Sequence, residues 1–569
     1  MYKTLYFIST LLITTLYIAC AQEIKRYDVV ISEIMADPTP TIGLPTAEYI
    51  ELFNRTPRQL QLHNWSIKIG NTIKPLPNIT IDSNGYIVLV AEKNKDLLLS
   101  YCPNLYTLSS LSITDGGQSI VLYNEHNQAI HQVTFKNSWH TEPVKRDGGW
   151  SLEMIDTEIP CIGKENWTSS TAEIGGTPGS ANASQRSIGD FLSPSLERVT
   201  LLDSTTIRLI FTETIHPTLP IFPSSFHLSP EITIAHIQEV PPDFTALDVH
   251  LSEPLHNNVL YTIFLDDAIC DCVGNYAENE NSIVGIAQKP LPGDLVINEL
   301  LSHPFDGADA DYVEIYNRSS KIIDLKDVKI GYNGDTIPNK VVRAVASGRQ
   351  LPPHQFCAIC KDREHTLHHY NCPNPLNLQQ NDSLPNFANS NGVIFLSSIG
   401  LQTIDKLIYT EDMHYSALTN TEGVSLERIR PDQPTQDESN WHSAASTAGF
   451  GTPGYENSQS ESVAEHDVIA FTPPVFSPDN DGFEDFTELT MQFSDIENRV
   501  TIQIFNTQGK LVKHLANNVF CGTEATFRWD GTDDNGTLLP SNSYIAQIQW
   551  WNLSGKSKRV RRVVSVFKQ

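Results

Sequence analysis

Long apolar runs are almost missing from this sequence. The one candidate, Leu5 to Ala19, falls short of the ~20 residues a helix needs to cross a bilayer. No later segment does better, so no transmembrane span is expected in the mature chain. Cysteine is scarce too, with nine in 569 residues, and one of them, Cys20, sits in the N-terminal stretch. The rest are too few to form a disulfide-built scaffold, even in an oxidising compartment. Basic charge is the third shortage: 39 Lys and Arg face 67 Asp and Glu, a formal net charge of −28. Such a surface repels a phosphate backbone, which argues against nucleic acid as a ligand; it also keeps an exported protein soluble with no further role. Nor does the sequence contain Gly-x-Ser-x-Gly, a Walker loop, a dinucleotide fingerprint or His-Glu-x-x-His.

What is present begins with a basic start, an apolar run and the small residues Ala19-Cys20-Ala21, the layout of a cleavable secretory signal over residues 1–21. Cys20 also permits lipidation, but Tyr17-Ile18-Ala19 lacks the usual Leu, which favours cleavage after Ala21. The 34 Pro and 31 Gly, spread among β-branched and aromatic residues, suit many short strands and turns. The expected class is all-β, as tandem immunoglobulin-like β-sandwich domains.

Internal repetition carries most of the information. Asp28-Val29-Val30-Ile31-Ser32-Glu33 is answered by Asp294-Leu295-Val296-Ile297-Asn298-Glu299, and Glu48-Tyr49-Ile50-Glu51 by Asp311-Tyr312-Val313-Glu314. Both stretches close alike, through Ser151-Leu152-Glu153 to Gly176-Thr177-Pro178-Gly179 and through Ser425-Leu426-Glu427 to Gly451-Thr452-Pro453-Gly454. These residues, with Gly85-Tyr86-Ile87-Val88-Leu89 and Gly117-Gln118-Ser119-Ile120-Val121-Leu122, resemble the lamin-tail domain, an immunoglobulin-like sandwich of nuclear lamins and exported bacterial proteins. The resemblance implies copies at residues 28–182 and 293–457; the second departs at His354-Gln355-Phe356.

Between them, residues 193–290 have strand patterns at Thr206–Phe211 and Tyr261–Leu265, and Asp271-Cys272-Val273-Gly274-Asn275 resembles bacterial immunoglobulin-like domains. Residues 458–467 have the Ser-, Asn- and Glu-rich composition of a linker. In residues 468–569, Phe476-Ser477-Pro478-Asp479, Gly509-Lys510-Leu511 and Trp529-Asp530-Gly531 resemble the C-terminal domains that address Bacteroidota proteins to type IX secretion, and flagellar hook-capping sandwiches. The opening favours the gliding-associated subtype, while the basic, valine-rich ending from Lys558 to Val564 is closer to the other. The resemblance implies the secretion machinery as a partner and the outer cell surface, or the medium, as destination.

Asp479, Asn480, Asp481 and Asp485 are the candidate metal residues, because oxygen ligands crowded about a glycine turn suit Ca²⁺. An ion-free Asx turn explains the same residues, and the closing Glu of an EF-hand is missing. No other cofactor is expected. Cys357-Ala358-Ile359-Cys360, with Cys372 and His365, His368 and His369 nearby, has zinc-like spacing. Aligning Cys372 with Cys102 puts Cys357 on Ile87 and Cys360 on Val90, in a core strand where residues three apart face opposite ways. One of the pair could instead meet Cys372 as a disulfide. Glu33, Glu51, Glu299 and Glu314 permit an acid–base reading, but their strand setting favours a structural network with Asn54 and Asn317 as partners. His140 and His414 recur ahead of each Ser-Leu-Glu strand, in a loop where a surface protein or glycan could bind. The chain therefore reads as a non-catalytic, surface-exposed binding or structural protein; the alternative is an extracellular hydrolase of nucleic acid or polysaccharide, or an accessory module of one.

Overall fold

The computed structural model describes residues 24–215, 221–265, 269–277, 280–334, 338–416, 418, 420–460, 467–494, 498–552 and 555–567. The expected secretory signal lies outside them. Most of the described elements are strands, the helices among them are short, and the fold is all-β, consistent with tandem β-sandwiches.

The first sandwich has a six-stranded sheet in the order Trp167–Ser169, Leu152–Met154, Val29–Met35, Tyr49–Asn54, Tyr86–Ala91, Leu105–Leu108. Its partner sheet runs Ala129–Lys136, Gly117–Tyr123, Ser66–Ile69, Thr72–Pro75. The third sandwich repeats both. Its larger sheet runs Trp441–Ser443, Leu426–Arg428, Leu295–Leu301, Tyr312–Asn317, Phe356–Cys360, Leu378–Gln380, and its smaller one Thr403–Thr410, Asn391–Ser398, Val328–Tyr332, Lys340–Arg343. Even the irregularities recur: a register shift between Ile31 and Glu33 returns between Ile297 and Glu299, and the last strand of each large sheet pairs parallel to its neighbour.

Val29–Met35 is buried at all seven positions, because its sheet is covered on both faces. Ile31, Leu52, Ile87 and Trp65 belong to the core between the two sheets. Met35, Tyr49, Val88, Val90 and Cys102 form a second cluster on the opposite face, under the loops and the short helix Lys95–Leu98.

The second sandwich sets Leu196–Asp203, Thr206–Phe211, Ala246–Leu251 and Ile234–Glu239 against Phe226–Ser229, Tyr261–Leu265 and Glu280–Val284. The fourth sets Val468–Thr472, Thr487–Gln492 and Glu524–Trp529 against Val475–Phe476, Ser557–Val566, Asn542–Trp551, Asn498–Phe505 and Leu511–Cys521. Asn498–Phe505 and most of Asn542–Trp551, in the larger of these sheets, alternate buried and partly buried side chains, so one sheet face packs and the other meets solvent.

The domains touch. A disulfide joins Cys161 of the first to Cys272 of the second, across 111 residues of sequence. Gln350 of the third exchanges two hydrogen bonds with the Gly285 backbone of the second. Tyr415 of the third stacks on Phe520 of the fourth at 4.8 Å, and Ser446 Oγ donates to the Phe520 carbonyl at 2.6 Å.

Candidate functional sites

Glu33, Glu51 and Glu153 are neighbours across three strands, and each is fully buried. Among the described residues no ion pair reaches them; hydroxyls and backbone amides do instead. Glu33 Oε1 accepts from Tyr49 Oη at 2.7 Å, Ser151 Oγ at 2.6 Å and the Thr177 amide at 2.8 Å. Glu51 accepts from Ser32 Oγ and the Gly179 amide, and Glu153 from Thr177 Oγ1 and the Ser184 amide. The three carboxylates thus clamp the closing Gly-Thr-Pro-Gly segment onto the sheet. Its glycines are sterically required: a Cβ on Gly176 would stand 2.4 Å from Tyr49 Oη, and Gly179, at φ +84, would drive one to 2.5 Å from Cys102 Sγ.

The second copy builds the same clamp. Glu299 accepts from Tyr312 Oη, Ser425 Oγ and the Thr452 amide, Glu314 from the Gly454 amide, and Glu427 from Thr452 Oγ1 and the Gln459 amide. Burial pushes Glu33 up to about 7 and Glu427 up to about 8, and holds Glu51 and Glu314 well above the usual carboxylate range. Ser458 and Gln459, expected in the linker, belong to this clamp. Asn54 and Asn317 do not serve the glutamates; each instead donates to backbone carbonyls beyond its own strand, such as those of Arg58 and Lys321, and closes a turn. Carboxylates sealed in this way have no route to a substrate, so the acid–base reading fails for all four.

Cys357 and Cys360 stand opposite Ile315 and Tyr312, as Ile87 and Val90 stand opposite Leu52 and Tyr49. Cys357 joins the inter-sheet core and Cys360 the cluster behind it, so they cannot converge on one ion. Both are free, as is Cys372, whose Sγ donates to the Pro453 carbonyl at 3.1 Å, and the disulfide expected there does not form. Of the loop histidines, His140 is buried and His414 half-buried. His140 is 9% exposed, its Nδ1 lies 2.9 Å from Ser169 Oγ, and His414 Nδ1 makes the same contact with Ser443 Oγ.

Asp479, Asp481 and Asp485 bring one carboxylate oxygen each within 4.8 Å of one another, on an exposed turn. The amides of Asn480 and Gly482 donate to Asp485, and that of Asp481 to Asp479, so the turn is also capped by its own side chains. Asn480 stands in the same turn with its backbone in the left-handed region at φ +61.

A second carboxylate cluster, unforeseen from sequence, joins Asp190, Glu213 and Asp271 where the first two domains meet. Asp271 is buried; its Oδ1 accepts from the amides of Val273, Gly274 and Asn275, which explains that motif as a turn cap. Asn275 Nδ2 then donates to the carbonyls of Asp190 and Leu192, fastening the connecting segment. Burial, then Asp190 and Asp271, push the Glu213 carboxyl up to about 7.

Comparison with known proteins agrees with the two ends of the chain. Residues 23–137 match the Lamin Tail Domain family, and residues 470–563 match the CHU_C type IX secretion signal domain. The third sandwich is linked to the first by its strand order and clamp, not by a family match of its own. No curated protein matches. Among solved structures, the chain overlaps S-layer protein rSbsC(31-844) at 12% identity, covering 66% of this chain and 54% of that one, with a TM-score of 0.16. It overlaps a Ca²⁺-stabilized ice-binding adhesin of an Antarctic bacterium at 9%, covering 96% and 100%, with a TM-score of 0.12. CopC from Methylosinus trichosporium OB3b overlaps at 15%, covering 18% and 96%, with a TM-score of 0.13. The chain thus spans about half of the S-layer structure. The protein carries a lamin tail domain near its N-terminal end and a type IX secretion signal domain at its C-terminal end, on an all-β frame.

Proposed function

We propose that this is a non-catalytic binding or structural protein of the cell surface, delivered there by its last domain. The observation that carries the reading is the match of residues 470–563 to a type IX secretion signal domain. The burial of the repeated glutamates supports it, since the best acid–base candidates serve as internal fasteners. Among the described residues no helix is long and apolar enough to cross a membrane, consistent with attachment or release rather than helical anchoring. Calcium at Asp479, Asp481 and Asp485 belongs to the same proposal: the clustered oxygens support it, and the ion would brace the turn that opens the signal domain.

The test is deletion of residues 467–569 in a bacterium with type IX secretion, followed by protease accessibility on intact cells. The full chain is expected to be cleaved from outside and the truncated chain to stay protected. Equal surface exposure of the two would overturn the delivery claim.

A further inference from the structure

We propose that the cleft where the first three domains meet binds a sugar bearing an oxyanion, a carboxylate or a sulfate, so that the protein holds acidic polysaccharide. This deepens the surface-binding reading above and rests on it.

The cleft has a volume of about 820 Å³, within the ~300–1,000 Å³ of small-molecule sites. Four cations reach it from three domains: Lys136 from the end of Ala129–Lys136, Arg198 from Leu196–Asp203, Arg343 from the edge strand Lys340–Arg343, and Arg363 from the start of the helix Arg363–His369. Two acids line it as well, Glu197 and Asp382, so four positive charges less two negative leave an excess of two. In a chain of net charge −28 this local reversal of sign matters, because the negatively charged surroundings would otherwise repel an anion.

The cations are unevenly engaged. Arg198 pairs with Glu197 at 2.8 Å and donates to Ser347 Oγ, yet its Nε is buried and has no partner among the described residues. Lys136 stands 3.9 Å from Asp382, a loose and exposed pair worth little on its own. Arg343 is exposed at the rim. Guanidinium groups suit planar or tetrahedral oxyanions, which they meet with paired N–H donors.

The remaining lining identifies the body of the ligand. Gln379, Gln380 and Ser383 supply amides and a hydroxyl, and no aromatic ring is among the described lining residues. Stacking on a neutral sugar is therefore not what the cleft offers. It offers charge for an oxyanion and hydrogen bonds for hydroxyls, the two features an acidic sugar combines. Contacts beside the cleft join the domains: Arg349 of the third donates to the Glu197 carbonyl of the second, and Lys164 of the first pairs with Glu364 of the third at 2.6 Å.

Calorimetric titration of the purified full chain separates the possibilities, with trigalacturonic acid, a sulfated carrageenan tetrasaccharide, maltotriose and triglutamate as probes. Saturable binding of at least one acidic sugar, none of maltotriose, and a loss of about ten-fold in affinity in a Lys136→Gln/Arg343→Gln variant are expected. Both positions are exposed, so the variant should fold, and an unchanged melting temperature checks this. Failure of both acidic sugars to bind, unaltered affinity in the variant, or equal binding of triglutamate would overturn the inference and leave surface delivery untouched. Cleavage of the trisaccharide in the same mixture would overturn the non-catalytic reading as well.

Discussion

The Thr177 amide donates to the Glu33 carboxylate at 2.8 Å across 144 residues of sequence, and the Thr452 amide donates to Glu299 at the same distance in the second copy. One buried carboxylate thereby decides where each module closes. The preceding sheet supplies Glu33 or Glu299, and the Gly-Thr-Pro-Gly segment has to return to it.

Because burial raises the Glu33 carboxyl to about 7 from its ordinary 4.5, its contribution to stability is fully present below pH 4.5 and is lost as pH rises through 7. Denaturant titrations at pH 5 and pH 8 should show the wild type losing on the order of 2 kcal/mol more than a Glu33→Gln variant over that interval. His131 and His140, held neutral by burial, act in the opposite sense below pH 6.5 and cancel in the comparison. Parallel profiles for the two proteins would contradict the clamp.

Glu213 offers a second pH test with a different outcome. It shares its site with Asp190 and Asp271, so Glu213→Gln removes repulsion. At pH 8 the variant should be more stable by on the order of 1 kcal/mol, a figure reduced because the group is partly exposed to solvent. At pH 5, where the wild-type carboxyl is protonated, the gain should vanish. A destabilised variant at pH 8 would mean that the carboxylate has a favourable partner.

The Cys161–Cys272 disulfide closes a loop of more than a hundred residues between two domains. A Cys161→Ser/Cys272→Ser variant should lose about 2–4 kcal/mol. Phe191, 89% exposed in the connecting segment, should then be cut faster by chymotrypsin. An unchanged cleavage rate would show that Asn275 and the packed interface suffice.

Calcium at the Asp479 turn should raise the melting transition of the C-terminal domain in the wild type, but not in an Asp481→Asn/Asp485→Asn variant. An equal shift in both would place the ion elsewhere.

Much of this was legible in the sequence, because the duplication served as its own control. Aligning Cys372 with Cys102 located Cys357 and Cys360 in a core strand, and the strand register agrees. The third member of each trio, Glu153 or Glu427, sits in a three-residue strand, Leu152–Met154 or Leu426–Arg428, too short for its pattern to hint at a buried acid. Cys161 and Cys272 belong to different domains, and no spacing rule relates them. Asp190, Glu213 and Asp271 come from three separate segments, and meet only once the second domain has folded and the connecting segment has been fastened to it. The loop histidines misled for a related reason: a place in a long loop implies a surface, but each imidazole meets a strand serine, Ser169 or Ser443.

The central claim is that the last domain is the address, and grafting tests it most directly. Residues 467–569 would be fused behind a periplasmically exported fluorescent reporter in a host with type IX secretion, and reporter exposure measured on intact cells. The reporter should appear outside the cell with the fusion and remain inside without it. Retention of the fused reporter in the periplasm, with the domain folded and intact, would contradict the claim.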